Sequence, residues 1–230
     1  VTSIAVLVPV LGRPANAAPL VESIGQAATY PTQIVFLCTP GDDEQITACI
    51  ETAAVVCVTE WEGGKGDYAR KINHGLEITT ADWIFTGADD LRFRHGWDTA
   101  AIHAARAGAG VVGTIDGCNQ RTRNANHSTH SLVARWYAVE HGTVEARPAI
   151  YHEGYWHNFV DDELVATARA RRSYVPSTAH VQHLHPMRGT ADDDDTYRLA
   201  MAHFRDDRHT FRARRALWGR GKLAQARRPE

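Results

Sequence analysis

The sequence predicts an α/β fold, a mainly parallel central sheet flanked by helices, on three observations. Strand-like and helix-like segments alternate through the first half of the 230 residues. The strand-like runs are continuously apolar, as strands covered on both faces are. The segments between them are long enough to carry a right-handed crossover helix back to a parallel neighbour. "SIAVLVPV" (3–10) is the first strand, and "APLVESIGQAATY" (18–30) has the apolar spacing of a helix. "QIVFLC" (33–38) is the second strand. "DDEQITACIETA" (42–53) is a helix whose acidic first turn suits the helix dipole. "AVVCVTE" (54–60) is a third strand. "DYARKINHGLEITT" (67–80) is a helix with Ala69, Ile72 and Leu76 on one face. "DWIFTG" (82–87), "GWDTAAIHAARAG" (96–108) and "GVVGTI" (110–115) complete the series.

Beyond Thr114 the pattern loosens. "DGCNQRTRNANHSTH" is loop-like, "SLVARWYAVEHG" runs from a strand into a short helix, and "VDDELVATARARR" is helical. "SYVPSTAHVQHLHP" predicts two short strands broken by a loop, and residues 196–217 are helical. The expected organisation is one catalytic-size domain over 1–190, with a helical, arginine-rich C-terminal extension over 191–230 packed on it.

Bulk properties narrow the function classes. The chain is 43% hydrophobic and 23% charged, with a net charge of −2, so it carries no overall basic signature of nucleic-acid binding. No apolar run approaches a membrane span, and the N-terminal apolar run lacks a basic leader. Cys38, Cys49, Cys57 and Cys118 form no CxxC and no disulfide framework; with the absent leader they predict a cytoplasmic protein with reduced thiols.

Several constellations can carry chemistry. Asp89 and Asp90 stand just past the fourth strand, and ligands of parallel sheets bind beyond the carboxyl ends of strands. Two adjacent carboxylates there suit a divalent cation holding a diphosphate, Mg2+ or Mn2+; alternatively they cap the turn before the next helix. "WEGGKGDYARK" combines Gly63, Gly64 and Gly66 with Lys65, Arg70 and Lys71 at a helix N-terminus. It lacks the P-loop spacing, and a surface loop explains it equally. Arg13, in the turn after the first strand, can meet a phosphate or simply serve the turn. Asp161, Asp162 and Glu163 open a helix, where acids belong, and one of them can also be a general base. His183 and His185 share a strand face and can ligate a metal, as can His127 and His130, though surface histidines also occur in pairs. The tract 192–195 reads as a solvated loop with Asp195 capping the next helix.

Taken in order, these pieces resemble a GT-A glycosyltransferase of the family 2 type over roughly residues 3–186. The carriers are "AVLVPVLGRP", "GGKGDYARKINHGL", "DWIFTGADDLRF", "SLVARWY", "VDDEL" and "VQHLHP". The chain is also similar to compact, bacteriophage-encoded members of that superfamily. The resemblance implies a nucleotide-sugar donor such as a UDP-sugar, and Mn2+ or Mg2+. It implies donor contacts from Pro9, Val10, Arg13, Gly64, Lys65, Arg70, Asp89 and Arg135. Asp89 and His183 are its implied metal ligands, with Asp90 and His185 as alternatives. Asp161 is the implied base, with Asp162 as the alternative. "TGADD" departs from the family's DxD motif: Gly87 stands where the first aspartate is often found. The implied reaction is direct displacement with inversion at the anomeric carbon. Two rivals stand beside it: a nucleotidyltransferase of similar layout, and a non-catalytic module that holds a nucleotide-sugar or glycan. The acceptor is open among modified DNA, protein and glycan, and the oligomeric state is open too.

Overall fold

The computed structural model describes residues 2–106, 108–219 and 221–227; Arg220 and Arg228 of the arginine-rich tail lie outside the described residues. The N-terminal half follows the alternation read from the sequence. It runs β1 (Ile4–Pro9), α1 (Ala17–Ala27), β2 (Thr32–Cys38), α2 (Asp43–Glu51), β3 (Val55–Val58), α3 (Asp67–Ile78) and β4 (Trp83–Thr86). It continues with β5 (Leu91–Phe93), α4 (Trp97–Ala105) and β6 (Val111–Ile115). Then come α5 (Gln120–Arg123), β7 (Ser131–Ala134), α6 (Arg135–Glu140), α7 (Val160–Ala170), β8 (Tyr174–His183), α8 (Asp195–Ala202) and α9 (Phe204–Arg214).

The eight strands lie in the order β3-β2-β1-β4-β7-β6-β8-β5. Pairings β1–β2, β1–β4, β2–β3 and β6–β8 are parallel, and β4–β7, β6–β7 and β5–β8 antiparallel. The sheet separates two apolar layers, and β1 supplies both by simple alternation. Ile4, Val6 and Val8 pack with Phe36, Phe85 and Trp97 on one face. Ala5 and Leu7 pack with Ile72, Leu76 and Tyr155 on the other. This two-sided burial is why β1 is continuously apolar.

The β1–β4 register decides where chemistry collects. Leu7 lies opposite Thr86, so the residues that leave the two strands, Pro9–Arg13 and Gly87–Asp90, emerge side by side at one rim.

Three expectations are corrected. Residues 174–183 form one ten-residue strand, not two; the irregularity is a register shift against β6 between Gly113 and Ile115. Leu91–Phe93 form a short antiparallel strand on β8 that the sequence reading missed, because three residues carry no period. Helix α8 is capped by Asp194, whose carboxylate accepts the Tyr197 N–H, and not by Asp195.

The C-terminal helices are held unequally. Buried Asp207 of α9 accepts the N–H groups of Trp156, His157 and Asn158, and Phe211 stacks on Phe159. Helix α8 has no buried residue and is tied by the polar and ring contacts of Tyr197 and its neighbours, described below.

Candidate active site

A cavity of about 640 Å³ opens at the rim where β1 and β4 end. Two acidic clusters line it. Each is built by a turn that leaves a regular element.

The first cluster is Asp89, Asp90, Arg13 and His183. The Asp89 and Asp90 side chains are 5% and 7% exposed, so like charges meet with little water. Arg13 Nη1 lies 3.2 Å from Asp89 Oδ1 and 3.1 Å from Asp90 Oδ2. The other edge of the same guanidinium forks onto Asp194, at 2.6 and 2.9 Å. Tyr197 donates its hydroxyl to Asp90 Oδ2 at 2.7 Å, and its ring sits 4.4 Å beneath the Arg13 guanidinium. His183 Nε2 stands 3.4 Å from Asp90 Oδ1.

These neighbours split the pair. Burial and the charge of Asp90 push Asp89 up to about 7. Burial also opposes ionisation of Asp90, but His183 and the Tyr197 hydroxyl overcome it and hold Asp90 well below the usual carboxylate range. Burial would lower His183; contact with Asp90 raises it instead. Asp90 thus carries the stable negative charge.

A divalent cation fits this chemistry. Asp90 Oδ1 is buried with no hydrogen-bond partner among the described residues, and it faces an imidazole nitrogen. Hard carboxylate oxygens with one imidazole suit Mn2+ or Mg2+. Relative to the sequence reading, it is Asp90, and not Asp89, that faces His183. His185 is the next ring along, 5.2 Å from His183 between centroids, and is turned toward Tyr197.

The second cluster is Asp161, Asp162, His127 and Arg121. Phe159 precedes α7 at φ +69, a strained conformation for an aromatic residue, and it brings the helix N-terminus to the cavity. His127 Nε2 lies 2.9 Å from Asp161 Oδ2, and the His127 side chain is only 1% exposed. Burial opposes the charge on Asp161, but the hydrogen bond to His127 prevails and lowers it; His127 is raised in turn against its own burial. Asp162 is pushed up by burial and by Asp161, and Arg121 holds it at 2.7 Å. One ligand atom from each of His127, Asp161 and Asp162 falls within 4.8 Å of the others, a spacing that could also hold a metal. The His127–Asp161 contact and the Arg121 clamp balance its charge, as Arg13 and His183 do in the first cluster; what sets the first cluster apart is the buried, unpartnered carboxylate oxygen Asp90 Oδ1.

The remaining expected donor residues divide. Pro9, Val10 and Gly64 line the cavity. Lys65 is exposed and Arg70 sits 5.2 Å from the Trp61 ring; neither lines it. Arg135 is spent on structure: its guanidinium donates to the carbonyls of Leu76, Thr79 and Ala81, closing the C-terminal end of α3. The buried cation at the rim is Lys71, 1% exposed. It donates to Val10 O at 3.0 Å and Thr39 Oγ1 at 2.7 Å, and pairs with Asp67 at 2.9 Å. The sequence named Lys71 only as one charge of a basic loop; its place in α3 four residues before Gly75, which is also buried, was the available signal.

Gly87 has a steric reason. A Cβ built there would meet Leu7 O at 2.7 Å and Val6 Cγ1 at 3.3 Å, because Gly87 N–H bonds Leu7 O directly. A side chain at Gly87 would thus require the two strands to shift apart.

The model of glycosyl transferase family 2 matches residues 5–169. The chain belongs to glycosyl transferase family 2. It is, in kind, a nucleotide-sugar glycosyltransferase. No curated protein matches it. Solved structures share the fold at low identity. Glucosyl-3-phosphoglycerate synthase from Mycobacterium tuberculosis, in complex with Mn2+, UDP and phosphoglyceric acid, is 14% identical at a TM-score of 0.59. That match covers 90% of this chain and 78% of the other. The same synthase with Mg2+ and UDP gives 14% and 0.59, over 90% and 79%. The mannosyltransferase PcManGT from Pyrobaculum calidifontis, in complex with GDP-Man and Mn2+, is 16% identical at 0.64, over 92% of this chain and 64% of that one. Among the described residues no helix is long and apolar enough to cross a membrane.

Proposed function

We propose that the chain is a metal-dependent, inverting glycosyltransferase that moves a sugar from a nucleoside diphosphate to an acceptor hydroxyl. The observation that carries this reading is that both acidic clusters line one cavity: one fits a cation, and the other holds an ionised carboxylate ready to accept a proton. Asp89, Asp90 and His183 would hold Mn2+ or Mg2+, with His185 in reserve; when bound, the ion neutralises the departing diphosphate. The metal and nucleotide bound by the synthase and by PcManGT support the same reading.

Asp161 is the base. Its carboxylate takes the acceptor proton as the acceptor oxygen attacks the anomeric carbon, and the bond to the diphosphate breaks. His127 keeps Asp161 ionised and oriented. Asp162 is engaged by Arg121 and is the weaker candidate. Pro9, Val10 and Gly64 bring backbone close to the donor, and Lys71 anchors the Val10 carbonyl beneath it. A single displacement inverts the anomeric centre.

The test is a panel of nucleotide-sugars with Mn2+, with and without EDTA, reading nucleoside diphosphate release and the anomeric configuration of the product. Metal-dependent release with inversion is expected. Pyrophosphate release would favour nucleotidyl transfer. Nucleotide binding without turnover would favour a binding module.

A further inference from the structure

Helix α9 carries cations of two kinds. Arg214 is folded inward and satisfied, with its guanidinium 2.7 Å from Glu163 and 2.9 Å from Glu145. Arg205, Arg208 and Arg212 are exposed, recur at i, i+3 and i+7, and so form one row on the helix surface. Arg215, at the start of the 3-10 turn that follows, extends the row. None of these four has a carboxylate partner among the described residues. In a chain of net charge −2 this row is a local feature, not a reflection of general basicity.

The row begins one residue beyond the cavity lining. His203 and Phe204 line the cavity, and Arg205 follows directly. At that rim the rings of Trp156 and His203 lie stacked, 3.7 Å apart and 7° from parallel. An arginine row leading to flat aromatic rings is the combination that tracks a phosphodiester backbone and receives its bases. A membrane surface fits less well. A helix lying on a bilayer inserts its apolar face. In α9 that face is spent inside the protein, with Phe204 and Phe211 on Phe159 and Trp218 on Phe211.

We propose that the exposed arginine row of α9 is a docking surface for a single nucleic-acid strand, which it leads to the cavity mouth as acceptor. The docking stands on the row and the stacked rings; the role as acceptor rests on the proposed function.

The test is fluorescence anisotropy with a labelled single-stranded oligodeoxythymidylate across a salt series, with no sugar donor present. Four phosphate contacts predict a log–log salt slope of roughly −3. The quadruple variant R205Q/R208Q/R212Q/R215Q should bring the slope near zero while Mn2+-dependent UDP binding is retained. Should that variant not fold, R208Q and R212Q alone should each reduce the slope by about 0.7. No binding at low salt, an unchanged slope in the variants, or binding to phosphatidylserine vesicles without binding to the oligonucleotide would overturn the proposal. A separate assay of sugar transfer to the bound oligonucleotide tests the acceptor role. Docking without transfer there, alongside a transferase active on other hydroxyls, would overturn that role alone.

Discussion

Asp161→Asn and Asp162→Asn differ by one residue and should differ widely in effect. At Asp161, asparagine keeps an oxygen that can accept the His127 N–H now 2.9 Å away, so the local geometry persists. What is lost is the ability to take a proton. A positioned base contributes about 10²–10⁴ in rate, or about 3–5 kcal/mol of transition-state stabilisation. Loss of the buried charge beside His127 should also cost about 1–3 kcal/mol of fold stability. At Asp162 the partner Arg121 is 54% exposed, so the lost ion pair is worth only about 0–1 kcal/mol and turnover should stay close to wild type. The assay is nucleoside diphosphate release at saturating donor, with calorimetric nucleotide affinity and thermal unfolding measured on the same preparations. Affinity should change little in either variant. A dead Asp162→Asn with an active Asp161→Asn would move the base by one position. Two active variants would remove a carboxylate base from this cluster altogether.

Two further outcomes are expected. Gly87→Asp, which would give a D-x-D spacing with Asp89, should harm the protein: its Cβ would stand 2.7 Å from Leu7 O, and overpacking of this kind costs about 1–3 kcal/mol. A higher melting temperature or tighter UDP binding in that variant would refute the steric reading. His127 is raised from its ordinary value by Asp161, so its contribution to stability is complete below about pH 6.5 and fades as pH rises through its folded value. The difference in melting temperature between wild type and His127→Gln should therefore shrink from about pH 6 to about pH 9. A constant difference would mean that His127 does not change its charge over this range.

The sequence was most legible where burial imposes a pattern. Residues 4–8 and 35–38 are buried on both faces, so their runs are continuous, and the position of Asp89 beyond a strand end followed from the alternation. It was least legible where a side chain's partner lies far along the chain. Arg13 reaches Asp194 across 181 residues, and Tyr197 reaches Asp90 across 107. No local period carries such contacts. Arg135 and Lys71 both turn to internal partners for the same reason: charge is visible in a sequence, but burial depends on the strand register that places it. His127 was noticed only as one of a histidine pair, because the loop that carries it has no pattern until α7 is placed beside it.

The proposed mechanism has Asp89, Asp90 and His183 holding the cation and Asp161 taking the proton. It is tested most directly by the anomalous manganese signal from a crystal grown with UDP and Mn2+. One peak is expected between Asp89, Asp90 Oδ1 and His183 Nε2, with Arg13 withdrawn from the carboxylate pair. A peak held by His127, Asp161 and Asp162, or bound UDP with no manganese at either cluster, would contradict it.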